Sequence, residues 1–171
     1  MRGNDGILYE AEDSALGPAT FSVTSTQKWA VSNAGFPDNL NQSFVETTLT
    51  QVSGADLTAR LFGTSRVSPG SLRNYGLGLQ NGPYTVTLQF AETGNLRRKD
   101  FDISKEAGGV NRAVARPLKV NVTENYLDIH LFWAGKGTCC IPEQGDYGPL
   151  ISAVHAASDT PTTPGKRAGL G

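Results

Sequence analysis

The chain has 171 residues, a formal net charge of −1 and 38% hydrophobic residues, which suits one soluble domain with a core of its own. The densest basic run, residues 97–99, is short, and no run of about 18 apolar residues occurs, so neither nucleic-acid binding nor insertion of this chain into a membrane is expected. With 20 Gly, 9 Pro and few helical patterns, the composition favours an all-β fold.

The first half of the chain predicts short strands separated by turn residues. Alternating and β-branched residues predict strands at 19–25, 28–33 and 57–62. The stretch SPGSLRNYGLGL, residues 68–79, is compatible with either a turn or a short strand, and its pattern does not decide between them.

Two later segments are the clearest strands of the sequence. Residues 83–92 and 125–134 alternate apolar and other side chains with a period of two, and an Asn-Gly turn precedes the first. The opposite face of the second strand is a mixed polar and aromatic row. The predicted apolar faces are Tyr84, Val86, Leu88 and Phe90 in the first strand, and Leu127, Ile129, Leu131 and Trp133 in the second.

Further strands are predicted at 99–104, 116–122 and 149–156. Many short strands with Gly, Pro and Asn between them are typical of an antiparallel β-sandwich. The final run, SDTPTTPGKRAGLG, has no apolar periodicity. We therefore expect one domain over residues 7–157, followed by a disordered tail or linker over 158–171.

No pattern of catalytic residues stands out in the chain. The common nucleophile, metalloprotease and phosphate-binding motifs are missing from the sequence. His130 and Asp128 are two residues apart on one predicted strand, so their Cα atoms lie about 6–7 Å apart and the two are neighbours rather than a hydrogen-bonded pair. We expect no enzymatic activity, no cofactor and no metal, and we interpret His130 as a structural or surface residue.

Two tyrosines lie in glycine-rich stretches that suggest loops. Tyr75 lies in NYGLGL, and Tyr147 lies in GDYGPL directly after Asp146. Sugar sites place aromatic faces against C–H-rich rings, with amides and carboxylates nearby for the hydroxyls, and loops often carry binding groups. These three residues form the candidate ligand-binding set; the alternative interpretation makes such aromatics core or turn residues.

Two triplets match the acceptor pattern for N-glycosylation, at Asn41 (NQS) and Asn121 (NVT). Such triplets are common by chance. If the chain is secreted, Asn41 is the favoured site because it lies in a polar stretch, whereas Asn121 falls within a predicted strand.

The two cysteines of the chain, Cys139 and Cys140, are adjacent. A disulfide between neighbours closes a very small ring and strains the peptide between them, and two thiols are too few ligands for a structural metal. Either both are free thiols, or at least one pairs with a partner outside this chain.

Several segments together resemble one family. WAVSNAG, YGLGLQNGPYTVTLQFAE, KDFDISKEAGG and VTENYLDIHLFWAGKGTCCIPEQGDYGPLISAV are similar to the malectin domain of plant leucine-rich-repeat receptor-like serine/threonine kinases, over roughly residues 7–157. The resemblance implies an extracellular β-sandwich of the carbohydrate-binding type, standing between leucine-rich repeats and a membrane helix that leads to a kinase. The animal malectin of the same name is an endoplasmic-reticulum lectin for glucosylated N-glycans.

The resemblance is incomplete in two places. Family members usually open with a strand carrying a motif like I-N-C-G-G, which is absent here, so Cys139 or Cys140 is expected to pair with a cysteine that this chain does not contain. After F-A-E, which ends at Glu92, the family continues through a further strand before K-D-F-D-I, whereas only TGNLRR stands here. This internal deletion predicts lower stability than that of the full domain, because a lost strand leaves unpaired backbone groups and exposed apolar side chains.

The sugar-binding residues of the animal lectin do not carry over by resemblance. Its Tyr-Phe pair after F-A-E corresponds to Thr93 and Gly94, and another of its tyrosines corresponds to Val67. The binding aspartate of the animal lectin falls just before the proline of a segment similar to YGPLISA. This chain has Tyr147 and Gly148 there, and Asp146 lies one step earlier. The fold is therefore expected to match the family more closely than the sugar site does.

Together these observations predict an extracellular ligand-recognition module of a receptor-like kinase. Its expected location is the extracellular side of the plasma membrane, although the N-terminus shows no signal peptide. The expected ligand is an oligosaccharide or cell-wall glycan. The alternatives are a module that binds other receptor ectodomain segments or a peptide, and a truncated product without independent function.

Overall fold

The computed structural model describes residues 6–12, 19–35, 45–47, 61–91, 108, 113–132 and 148–160. These residues contain strands and turns but no helix, and hence no helix with the length and hydropathy needed to cross a membrane. The strands are β1 (Ala19–Val23), β2 (Trp29–Ala34), β3 (Val45–Thr47), β4 (Thr64–Val67), β5 (Ser71–Leu77), β6 (Gly82–Ala91), β7 (Ala113–Val122), β8 (Tyr126–Phe132), β9 (Leu150–Ile151) and β10 (Ala153–Ser158).

The strands form three antiparallel sheets. The first has the order β1-β2-β5-β8, the second β10-β6-β7, and the third β3-β4-β9. Every strand pairing is antiparallel. The all-β antiparallel sandwich predicted from the sequence is therefore confirmed.

One apolar cluster joins the three sheets. Leu72 of β5, Val86 of β6 and Ile151 of β9 are buried within it, one from each sheet. The predicted inner face of β6 is confirmed, since all four of its apolar residues are buried. The same alternation holds in β8, whose Leu127, Ile129 and Leu131 are partly buried and pack against the cluster.

Several predicted strands differ from the observed ones. The undecided stretch 68–79 contains a regular strand, β5, in which every second residue is buried. In the predicted strand 57–62, Leu61 and Phe62 instead lie in a buried turn before β4. The predicted strand 149–156 is divided between two sheets at Ser152, whose N–H donates to Gln89 O at 2.9 Å. The predicted strand 99–104, Trp133 and the tail beyond residue 160 lie outside the described residues.

The N-terminal segment contacts both the second and the third sheet. Gln89 Nε2 donates to the Tyr9 hydroxyl at 2.9 Å in a buried contact. Arg66 Nε lies 2.6 Å from Glu12 Oε1, and this arginine side chain is nearly fully buried. The two contacts cover polar side chains of β4 and β6 that would otherwise face water.

A close backbone junction connects the first and third sheets. The Ser68 N–H donates to Pro149 O, and the Gly70 N–H donates to Ala34 O, each at 3.1 Å. Gly148 has a φ of +132°, and a Cβ at this position would lie 1.8 Å from Ser68 O. Only glycine fits here, both for its backbone conformation and for the space available.

Replacing Gly148 by alanine is expected to destabilise the domain strongly. The matched control is Gly78→Ala, because Gly78 also has a positive φ, of +64°, but its added Cβ would meet nothing within 4 Å. The control should lose about 1 kcal/mol from backbone strain alone, whereas Gly148→Ala should lose about 3 kcal/mol or more. Chemical denaturation of the two variants measures their free energies of unfolding. If both variants lose the same amount of stability, the backbone junction can relax around the added Cβ.

A pH-dependent contact links the N-terminal segment to the β1–β2 turn. Burial opposes ionisation of Glu10, but hydroxyl hydrogen bonds from Thr24 and Thr26 and the charge of Lys28 hold its pKa below the ordinary value of 4.5. A carboxylate with a depressed pKa stabilises the fold at pH values above its unfolded pKa, and this contribution is lost as the pH falls through the folded value.

Glu10→Gln should therefore lower the melting temperature at pH 7 and lose this effect near pH 3. Glu124→Gln, at an exposed turn position between β7 and β8, serves as the control and should shift the melting temperature at neither pH. Thermal melts over this pH range provide the measurement. If the melting temperatures of Glu10→Gln and the parent chain differ by the same amount at pH 3 and at pH 7, the assigned role of the carboxylate is contradicted.

Candidate ligand-binding face

The first sheet has one face in the core and one face toward solvent. In β1 and β8 every second residue is exposed, and the register of the four strands brings these positions side by side. We call this surface the outer sheet face. Its larger side chains are Phe21, Val23, Arg73, Tyr75, Tyr126, Asp128, His130 and Phe132.

The outer sheet face exposes several large apolar side chains. Phe21 is 63% exposed, Phe132 58% and Tyr126 46%. Scattered apolar residues are normal on protein surfaces, but a group of large ones on a single sheet face is typical of an interaction site.

Four of the five rings named above form two pairs, and Tyr126 belongs to neither. Phe21 and Tyr75 have ring centroids 6.3 Å apart at an interplanar angle of 56°. His130 and Phe132 have centroids 4.7 Å apart at 37°.

β2 runs between the strands of Phe21 and Tyr75 and places small side chains there. Ser32 is in register with Phe21, and the fully buried Ala30 is in register with Tyr75. These small residues leave room for the two large rings to meet diagonally above β2.

An ion pair lies beside the rings. Arg73 Nη1 is 2.6 Å from Asp128 Oδ2, and the two side chains are 39% and 32% exposed. The residues are diagonal neighbours, since Arg73 is in register with His130 and Tyr75 with Asp128. Diagonal positions on adjacent strands lie within reach of long side chains.

The contacts on this face also show the role of His130. Its ring contacts Phe132, whereas Asp128 is bound by Arg73. His130 is therefore a surface residue in a ring pair, and the Asp128 carboxylate interacts with a guanidinium instead of an imidazole.

The outer sheet face thus combines aromatic surfaces with a polar pair of balanced charge. The rings can stack on apolar faces of a ligand, and the guanidinium can donate while the carboxylate accepts hydrogen bonds. Within the described ranges, no group of three or more His, Cys, Asp or Glu side chains is placed to hold a metal ion.

The structure corrects the predicted location of Tyr75. This residue lies in the middle of β5, not in a loop, because the flanking glycines do not interrupt the ladder: Gly76 is paired with both Trp29 and Leu127. Asp146, Tyr147, Cys139, Cys140 and Asn41 lie outside the described residues, whereas Asn121 is an exposed residue of β7.

Sequence reasoning did not identify Phe21 or Arg73 as candidate site residues. The signal for Phe21 was available, since Phe21 and Val23 are two apart in the predicted first strand. Arg73 lay in the undecided stretch 68–79, so its face could not be assigned. Val67, which corresponds to a tyrosine of the animal lectin, is 5% exposed and packs in the core.

Comparison with known proteins identifies the family. The sequence matches the family model described as Malectin domain over residues 1–95 and again over 93–154. A probable LRR receptor-like serine/threonine-protein kinase of Arabidopsis thaliana is 47% identical over 191 residues, covering 96% of this chain and 18% of the relative. A second such kinase from the same plant is 48% identical over 192 residues, covering 98% of this chain and 18% of the relative.

Among solved structures, a Bacteroides uniformis beta-glucuronidase 2 is similar with a TM-score of 0.46 and 17% identity, covering 74% of this chain and 15% of that protein.

The matches also locate a difference from the relatives. The two matched segments meet at residues 93–95, directly after Glu92, where a deletion is predicted from the sequence. Both alignments are longer than the chain of 171 residues, so the relatives carry residues with no counterpart here. The aligned region is a small part of each relative, and their kinase domain lies outside it. The chain therefore belongs to the malectin domain family, as found in plant LRR receptor-like kinases.

Proposed function

We propose that this domain is an extracellular ligand-recognition module of a receptor-like kinase, and that it binds carbohydrate on the outer sheet face. The relatives are receptor-like kinases, and the chain spans 18% of their length, which suits one recognition module within a longer receptor. The observation that carries the proposal is the ring pair of the exposed Phe21 and the half-buried Tyr75 beside the Arg73–Asp128 ion pair.

Carbohydrate suits this combination of side chains. Pyranose rings present C–H-rich faces that stack on aromatic side chains, and their hydroxyls both donate and accept hydrogen bonds. Because Arg73 and Asp128 neutralise each other, the ion pair offers one donor group and one acceptor group without a net charge. This favours a neutral sugar over a strongly anionic one.

The spacing of the rings favours an oligosaccharide over a monosaccharide. Phe21 lies on β1 and Phe132 on β8, at opposite edges of the four-stranded sheet. Strands are about 4.8 Å apart, so the two edges are separated by about 14 Å. A ligand that contacts both ring pairs must therefore extend across the strands over several sugar rings.

Asp146 and Tyr147 are proposed as additional contacts. They directly precede Gly148, which packs against the turn that leads into β5, the strand of Tyr75. Their contribution can be measured separately, because neither belongs to the outer sheet face as defined by its strands.

A protein partner is the competing occupant of the same surface. The exposed Phe21 and Val23 at the β1 edge form an apolar area that a receptor segment or a peptide could also cover. Under that alternative, the same residues matter but no free sugar binds.

Replacing Tyr75 by alanine should weaken the binding of glucose-containing oligosaccharides about tenfold, since one stacking contact is removed. Phe21→Ala should have a similar effect, whereas Glu124→Ala, in the turn after β7, should leave binding unchanged. Titration calorimetry measures the affinities. The melting temperature of the parent chain should rise with the sugar, because the native state is the form that binds.

Two results would contradict the proposal. Sugar binding that survives both Tyr75→Ala and Phe21→Ala would exclude the outer sheet face as its site. A melting temperature that no sugar in a broad glycan panel raises would exclude carbohydrate as the ligand and favour the protein partner.

A further inference from the structure

We infer that Asn121 is an N-glycosylation site on the side of the domain opposite the ligand-binding face, and that its glycan shields the edge of β7 that pairs with no other described strand. The inference rests on the extracellular location in the proposed function, since N-glycans are added in the secretory pathway. It does not depend on the nature of the ligand.

The acceptor triplet is accessible although it begins in a strand. Asn121 and Thr123 are both exposed, and β7 ends at Val122, between them. A short turn follows, in which Asn125 has a φ of +61° before β8 begins. The sequence disfavoured Asn121 because of its predicted strand, but the structure has it at the exposed end of that strand.

The Asn121 side chain points away from the core. Alternation along β7 decides this, since its neighbour Val122 is 3% exposed and faces inward. Asn121 is in register with Pro83 of β6, which is also exposed. In the described part of the chain, the Asn121 side chain makes no hydrogen bond, so its amide is available to an attached sugar.

The position of Asn121 separates a glycan from the ligand site. Asn121 lies on the outer surface of the β10-β6-β7 sheet, whereas the outer sheet face belongs to the β1-β2-β5-β8 sheet. The two sheets face each other across the apolar core. A glycan at Asn121 therefore leaves Phe21, Tyr75 and Phe132 uncovered.

The same glycan would protect an exposed strand edge. Among the described strands, β7 pairs only with β6, along ten residues. Leu118 of this strand is 43% exposed, although its register partner Val86 is buried. Open edges of this length promote pairing with other chains, and charged residues or proline oppose it. Arg116, Pro117 and Lys119 supply such protection in the strand, and a bulky glycan at its end adds to it.

The test is to direct the chain into the secretory pathway of plant cells and to map its peptides before and after removal of N-glycans. The peptide containing Asn121 should carry a glycan that the enzyme removes, leaving aspartate in place of asparagine. Asn121→Gln should abolish this modification. Thr123→Ser is the matched control and should keep it, since serine also completes the acceptor triplet, whereas Thr123→Ala should lose it.

A second readout tests the shielding. Enzymatically deglycosylated protein should form aggregates faster at equal concentration than the glycosylated protein, by light scattering, with unchanged sugar affinity. An unmodified Asn121 in folded, secreted protein would overturn the inference and leave the proposed function intact. Equal aggregation rates with and without the glycan would overturn the shielding. If neither the glycosylated nor the deglycosylated chain binds sugar, the proposed function fails and the inference stands. Sugar binding that appears only after deglycosylation would overturn the placement of the glycan away from the outer sheet face.

Discussion

The contact between the apolar inner faces of the sheets determines the rest of this structure. Leu72, Val86 and Ile151 come from three different sheets and are buried in one cluster, so burial of each sheet depends on the others. Because side chains alternate along a strand, fixing one face in the core also fixes which residues face solvent. The place of Tyr75 on the outer sheet face follows directly from the buried positions of its neighbours in β5.

The outer sheet face shows a conflict between stability and function. Large exposed rings gain little from folding, because burial of apolar area is the main favourable term. The ring pairs recover part of that burial by contacting each other, as Phe21 contacts Tyr75 over the small side chains of β2. The remaining exposure has no stabilising effect in the isolated domain, and a ligand that covers these rings would supply the missing burial.

The relatives differ from this chain in the segment between β6 and β7, two strands of the second sheet. Their alignments extend to 191 and 192 positions against 171 residues, and the two family matches meet between β6 and β7. β7 nevertheless pairs with β6 along its whole length and contributes Val114 and Val120 to the core. The described part of the second sheet is thus held by the pairing of β6 with β7, although Leu118 of β7 is 43% exposed.

Local sequence patterns were sufficient for the fold class and for the inner faces of β6 and β8, because a period of two depends only on residues a few positions apart. The family came instead from the resemblance of whole segments to the malectin domain. Local patterns were insufficient for β5, whose glycines suggested a loop, and for the division of the last predicted strand between two sheets at Ser152. The candidate site was the least predictable part. Arg73 and Asp128 are 55 residues apart in sequence, and their contact depends on the register between distant strands. That register is decided only when the sheets pack, since burial of one face of every strand at once selects it.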